Sequence, residues 1–264
     1  MKSLPYLKLK SMMLFIRMMW AKLSMKMIFR LLLFRYGGGE SMNIKALFLD
    51  FYGTLVYEDG EVIGRICEKI RKASSYYPET REIATYWWEK FFSSCVISYG
   101  ENFRLQRDIE MESLRETLQR FGCNYNAEDL SEELFTYWMK PPIFQDTMQF
   151  LDNKKLPICI VSNIDRADLI SAVCHHGIKV TSIVTSEDVR SYKPRPEIFL
   201  RALELINVRP EEVLHIGDSL SSDVAGAKGL GINTCWLNRN RKNNSSGLSA
   251  DIECYSLLEV LNYL

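Results

Sequence analysis

Asp50, Asp218 and Asp223 are acids, Ser162 and Asn163 a neutral polar pair, and Lys193 a cation, spread over a sequence of 264 residues. Most of them follow directly on a short apolar run. Asp50 ends Ala46-Leu47-Phe48-Leu49, Ser162 and Asn163 end Ile158-Cys159-Ile160-Val161, and Asp218 follows Leu214-His215-Ile216-Gly217. Carboxylates brought together repel one another unless a cation joins them, and hard oxygen ligands select Mg²⁺. A metal ion and Lys193 would neutralise a phosphoryl group, and Ser162 would donate to its oxygens. Asp50, kept ionised by those cations, could attack as a nucleophile.

These residues meet only if the runs that carry them are strands sharing one edge. Apolar runs of this length read as buried strands, and Gly53 permits a tight turn just beyond the first. The second half then alternates. Strands are predicted over Leu156–Val161, Ser182–Thr185, Glu212–Ile216 and Thr234–Leu237. Helices are predicted over Asp165–His176, closed by Gly177, and over Arg195–Ile206, Ser221–Lys228 and Ser256–Leu264, with Asn238–Ala250 a polar exposed loop. Alternation of this kind predicts an α/β fold, a Rossmann-like parallel sheet covered by helices. In such sheets ligands bind at the carboxyl ends of the strands.

Between the first strand and the second half the period changes to three and four. Val62, Ile66 and Ile70 form one stripe, and Ile83, Tyr86, Trp87 and Phe91 another. Leu105, Ile109, Leu114 and Leu118 follow, then Leu130, Leu134, Tyr137 and Trp138. Breaks fall at Tyr77-Pro78, Tyr99-Gly100 and Phe121-Gly122, which predicts an inserted bundle of four amphipathic helices over 58–138. Lys140-Pro141-Pro142 reads as a hinge behind it. The aromatics Tyr76, Tyr77, Tyr86, Trp87, Trp88, Phe91 and Phe92 are assigned mostly to the bundle core, with one or two expected to face substrate. His215, inside a strand, reads as a core residue, and Asp165 and Arg166 as helix caps or substrate contacts.

Composition narrows the class. Apolar content of 47% and charged content of 25% suit a soluble globular protein with a sizeable core. Seven scattered cysteines without a Cys-x-x-Cys pair predict reduced thiols in a cytoplasmic protein rather than a disulfide framework or a zinc site. The balanced charge hides an asymmetry: residues 1–41 hold eight Lys/Arg and one acid, leaving 25 basic and 32 acidic residues in the remainder. A cation interrupts 1–41 too often for a membrane span, which needs about 20 apolar residues. Ser11–Phe34 could form a basic amphipathic helix. Gly37-Gly38-Gly39-Glu40-Ser41 before Met42 back-translates to a purine-rich tract of the ribosome-binding type. Residues 1–41 are therefore expected to be a non-native leader without a fold of their own. No nucleic-acid partner is expected, and the protein is expected to be a monomer or a homodimer.

From Ile44 onward the chain resembles the haloacid dehalogenase superfamily, with four motifs in order. Asp50-Phe51-Tyr52-Gly53-Thr54-Leu55 is similar to the nucleophile motif and Ser162-Asn163 to the second. Ser191-Tyr192-Lys193-Pro194 is similar to the third, and Gly217-Asp218 through Asp223 to the acidic fourth. The insert resembles the family's type 1 cap, which implies a core domain of 42–57 and 139–264 and a cap of 58–138. The resemblance implies catalytic positions at Asp50, Tyr52 and Lys193. It implies substrate or phosphate contacts at Ser162, Asn163 and Lys193, and Mg²⁺ ligands at Asp50, the Tyr52 carbonyl and Asp218, with Asp223 close by.

Tyr52 departs from the pattern. Family phosphatases usually carry a second Asp there as general acid and base. A phenol with a reference pKa near 10 is a poor shuttle, and losing such a group typically costs about 10²–10⁴ in rate. Tyr at this position is typical of the family's metal-free 2-haloacid dehalogenases. Arg81-Glu82-Ile83 followed by Trp87, and Thr234 to Arg239, add to that likeness. Trp88, however, stands where they carry a halide-handling arginine, and Gly217-Asp218 keeps the metal ligand that they discard. The resemblance therefore implies a metal-dependent hydrolase, a phosphatase on a small phosphorylated metabolite before a dehalogenase. A related binding protein with little turnover is the reading from another class.

A chain starting at Met42 is expected to match the full chain in melting temperature and activity. A large loss of either would show that residues 1–41 belong to the working protein.

Overall fold

A strand buried from both sides cannot alternate apolar with polar, and β1 (Ala46–Leu49) does not: all four residues are buried. In the structure, a computed structural model that describes residues 42–153 and 156–264, β1 lies in the middle of a six-stranded sheet. The expectations for residues 1–41 fall outside the described residues. The other strands are β2 (Ile158–Ser162), β3 (Ser182–Thr185), β4 (Val213–Gly217), β5 (Asn233–Leu237) and β6 (Ile252–Cys254). Every pairing is parallel, in the order β3-β2-β1-β4-β5-β6. The order reverses between β1 and β4, where Leu49 pairs with Ile216, and a crevice opens at such a switch point. This is the expected α/β, Rossmann-like sheet.

Successive side chains of a strand leave on opposite faces. Ala46 and Phe48 join Cys159, Val161, Val184, Ile198, Phe199 and Ala202 in one fully buried layer. Each large side chain in it contributes roughly 1.5–3 kcal/mol by leaving water. Helices α1 (Gly60–Ala73), α2 (Thr80–Ile97), α3 (Gln106–Arg120) and α4 (Ala127–Met139) form the insert. The expected breaks between them are real, and Tyr77, Gly100 and Gly122 all have positive φ. Val62, Ile66, Ile70, Ile83, Trp87, Ile109, Leu114, Leu118, Leu134 and Trp138 are buried within it. The aromatics were misjudged. Among those assigned to the bundle core only Trp87 is buried, while Tyr76, Tyr77, Trp88 and Phe92 are exposed.

The second half holds α5 (Thr147–Asn153), α6 (Arg166–His175), α7 (Ser186–Val189), α8 (Glu197–Ile206), α9 (Ala225–Lys228) and α10 (Leu257–Val260). Of these, α5, α7 and strand β6 were not anticipated. The helix expected from Ser221 begins instead as a π turn over Leu220–Val224, in which the N–H groups of Asp223 and Val224 both donate to the Ser219 carbonyl. The terminal helix is shorter than expected and tightens to a 3₁₀ turn after Val260. Among the described residues no helix is long and apolar enough to cross a membrane.

The insert leaves and re-enters the sheet domain through two paired segments. Val56 bridges Ile143, Tyr57 N–H donates to Pro142 O at 2.9 Å, and Phe144 N–H donates to Leu55 O at 3.2 Å. Just beyond, Asp146 accepts both terminal nitrogens of Arg239 at 3.0 Å and the N–H of Leu257 at 2.8 Å. Arg239 also donates to Thr54 O at 2.8 Å and lies over the Phe144 ring. Breaking one side of a largely buried pair strands the other charge, at about 3–5 kcal/mol. Asp146→Ala should therefore lower the free energy of urea unfolding by about 3 kcal/mol. A loss below about 0.5 kcal/mol would place the pair among ordinary surface ion pairs.

Candidate active site

β1 ends at the switch point and delivers Asp50, whose N–H donates to Ile216 O at 2.9 Å. Gly53 turns the chain with φ +83, and a Cβ there would lie 2.7 Å from the carboxyl carbon of Asp218. Only glycine lets the Asp50 loop pass so close to the end of β4. Gly217 does the same for Asp223, since a Cβ would sit 2.3 Å from its carboxyl carbon. The three carboxylates consequently offer oxygens within 4.8 Å of one another.

Lys193 is buried among them. Its Nζ donates to Asp50 Oδ1 at 2.7 Å, Asp223 Oδ1 at 2.6 Å and Val161 O at 3.0 Å. Asn163 fixes the lysine backbone from both sides: its Oδ1 accepts Lys193 N–H at 2.7 Å, and its Nδ2 donates to Lys193 O at 3.2 Å. The amide predicted to touch substrate is thus occupied in holding the Lys193 backbone. Asp223 also accepts from His215 Nε2 at 3.0 Å and from Ser219 N–H at 3.1 Å, so both of its oxygens are engaged. His215 is a core residue, as expected, with this second task. Ser162 is buried at the end of β2, and among the described residues its hydroxyl makes no hydrogen bond.

The electrostatics separate the three acids. Burial pushes Asp50 up to about 6, opposed by Lys193. Asp218 is raised well above the usual carboxylate range by burial and then by Asp50 and Asp223. Among the described residues no hydrogen bond or ion pair reaches its carboxylate. For Asp223 the ammonium and His215 outweigh the cost of burial and hold the carboxyl below its ordinary value. His215 is lowered by burial and stays neutral. An unpaired carboxylate across a glycine from a second one is the donor set a hard divalent cation fits. Asp50 and Asp218 could hold it, and Asp223 is committed to Lys193.

Tyr52 points away from this cluster toward the insert. Its hydroxyl donates to Trp138 O at 2.6 Å, and burial raises the phenol well above its usual value. Asp165 caps the insert from below, accepting the N–H groups of Gln106 at 2.7 Å and Arg107 at 3.0 Å at the start of α3. Arg107 then pairs with buried Asp168. Arg166 pairs with Asp188 at 2.7 Å. So α3 is mounted on the sheet domain at its N-terminus, and it carries Glu110, a residue the sequence reading missed. Glu110 and half-buried Asp59, which accepts Trp138 Nε1 at 2.8 Å, line a cavity of about 200 Å³ beside Tyr52 and Asn163. Burial, reinforced by Asp59, pushes Glu110 up to about 8. Its signal was its place on the buried stripe of α3, four residues before Leu114.

A model of the family described as haloacid dehalogenase-like hydrolase matches residues 44–231. The chain belongs to that family, as the motifs led one to expect. It is 25% identical over 201 residues to an (S)-2-haloacid dehalogenase of Pseudomonas sp. (strain YL), which covers 74% of this chain and 83% of that protein. It is 28% identical over 154 residues to a phosphoserine phosphatase of Thermus thermophilus, 55% of this chain and 61% of that one. A solved dehalogenase structure superposes with a TM-score of 0.69 at 19% identity, covering 84% of this chain and 97% of its own, a likeness of fold.

Glu110 yields a stability test. With its carboxyl pKa raised in the folded state, the folded protein holds a proton that the unfolded chain releases between about pH 4.5 and 8. Stability is lost as pH rises through that window. Glu110→Gln removes the contribution. Its melting temperature relative to wild type should climb from pH 5 to pH 8.5, by about 2 °C or more. A difference independent of pH would mean that Glu110 titrates normally.

Proposed function

We propose that this hydrolase is a Mg²⁺-dependent phosphatase of small phosphate monoesters, working through an aspartyl-phosphate on Asp50. The observation that carries the reading is Asp218, a carboxylate without a protein cation beside the Asp50 carboxylate. Bound Mg²⁺, held by Asp50, Asp218 and the Tyr52 carbonyl, would neutralise charge on the phosphoryl oxygens.

The chain's own groups account for the rest. Lys193 holds Asp50 Oδ1 and keeps the carboxylate ionised and oriented. Asp50 attacks phosphorus, the bond to the leaving oxygen breaks, and that oxygen takes a proton from water. Ser162 donates to a phosphoryl oxygen and Lys193 balances its charge. Water then attacks the phosphorus of the acyl phosphate, releasing inorganic phosphate and Asp50. Tyr52 is bound to Trp138 O and raised in pKa, so it moves no proton. Its side chain joins the sheet domain to the insert, which we take as a cap of residues 58–138 over a core of 42–57 and 139–264. A cytoplasmic location and a monomer or homodimer belong to the same reading, and all seven cysteines are free.

The second reading, a 2-haloacid dehalogenase, is favoured by Tyr52. It is weakened by the retained Asp218 and by the cavity under the insert. That cavity presents Glu58, Asp59 and Glu110 and no Lys or Arg to a departing halide.

Full-length protein should release phosphate from an aryl phosphate with Mg²⁺ stimulation, and Asp50→Asn should reduce the rate by about 10³-fold or more. Tyr52→Asp should speed alkyl phosphates more than aryl phosphates, since an alkoxide needs the proton that a phenolate does not. Turnover of 2-chloropropionate without metal, and none of phosphates, would establish the dehalogenase instead. Turnover of neither would favour a binding protein.

A further inference from the structure

The cavity between α3 and the sheet edge has a composition that neither motif nor family accounts for. Its walls are three indoles, those of Trp87, Trp88 and Trp138. Its polar groups include three acids, Glu58, Asp59 and Glu110, and no basic side chain lines it. Glu110 is 5% exposed, and the Trp87 indole N–H is the side-chain donor beside its carboxyl group. Trp87 is 3% exposed, and among the described residues its indole N–H reaches no acceptor besides Glu110. A nearly buried carboxyl group therefore lines this space of about 200 Å³ with an indole N–H beside it and no basic side chain in the lining.

Burying a carboxylate in an apolar site is costly unless a cation or donor meets it. Among the described residues no such cation lines the cavity and Glu110 keeps its proton near neutral pH; a cation brought by a ligand would let it ionise. Indole faces attract cations as well, most strongly where water is excluded. Tyr52 and Asn163 line the same cavity. Tyr52 lies two residues after Asp50, and Asn163 holds Lys193, so the cavity adjoins the place where a phosphoryl group would sit.

We propose that this cavity is a subsite for a small ammonium group on the leaving portion of the substrate, with Glu110 and Asp59 as its counter-charges and the indoles as its walls. The proposal rests on the phosphatase reading and narrows it to phosphate monoesters of short amino alcohols. With the ammonium bound, Glu110 ionises and binding releases its proton. An uncharged alkyl group of the same size would leave Glu110 protonated and gain nothing from either acid.

The test compares 2-aminoethyl phosphate, phosphocholine and propyl phosphate as substrates of the full-length protein. At least one of the two cationic esters should exceed propyl phosphate in kcat/KM by about tenfold or more, equal to about 1.4 kcal/mol. Glu110→Gln should collapse that ratio toward one. Asp59→Asn, which keeps an acceptor for Trp138, should lower it in the same direction. Wild-type ratios near one for both cationic esters would overturn the subsite and leave the phosphatase standing. Hydrolysis of none of the three would count against the phosphatase. The subsite would then be judged by tryptophan fluorescence: saturable quenching by ethylammonium but not by ethanol supports it, and equal or absent responses overturn it.

Discussion

A single ammonium group ties the ends of three strands together. Lys193 Nζ meets Asp50 from β1, Val161 O from β2 and Asp223 from the turn after β4. A buried charge persists only when paired and fully hydrogen-bonded, and these three acceptors meet that condition. Each neighbour follows from it. Asn163 grips the lysine backbone, Gly217 makes room for Asp223, and neutral His215 donates to the carboxylate without adding a second charge. The π turn over Leu220–Val224 is the shape that brings Asp223 back under the sheet edge. Asp218 alone is left outside this neutralised set.

Asp50 and Asp218 were legible because each follows an apolar run, and a parallel sheet brings such ends to one side, while Asp223 was legible from the motif it shares with Asp218. The expected strands followed from the same runs, whereas their order in the sheet is known only from the structure. The misses have local causes. Strand β6 is three residues long with a solvent-facing Glu253, too short for a period to register. Helix α7 is a single turn set by the Thr185–Asp188 capping box. The aromatics of α2 fall on several faces, and pattern alone does not tell which face meets α3 and which meets water. Asn163 carried the right type at the right place, but its partner, the Lys193 backbone, lies thirty residues away in sequence and only the fold joins them.

Glu110 and Asp59 mark a different limit. Acids on amphipathic helices are usually solvated, and composition offers no reason to except these two. What makes them unusual is tertiary: α3 is held down at its first turn, so a residue one turn later is pressed beneath the insert. The sheet domain thus governs the acidity of groups that belong to the insert. Floor and roof of the site differ accordingly. Below lie a lysine and a carboxylate pair suited to a metal ion, and above lie aromatic faces and carboxylates.

The cap that Asp165 lends to α3 has a mechanical consequence. A helix usually draws its N-terminal acceptor from the residue just before it, and here it is borrowed from a residue nearly sixty positions away in the sheet domain. Lifting the insert at that end strips two backbone donors from Asp165 and separates Arg107 from Asp168, while the Tyr52 hydroxyl loses Trp138. Those contacts are largely between charges and dipoles, and since Asp165 and Asp168 are buried, dissolved ions screen them little. Raising the insert at that end would therefore mean losing all of these contacts together.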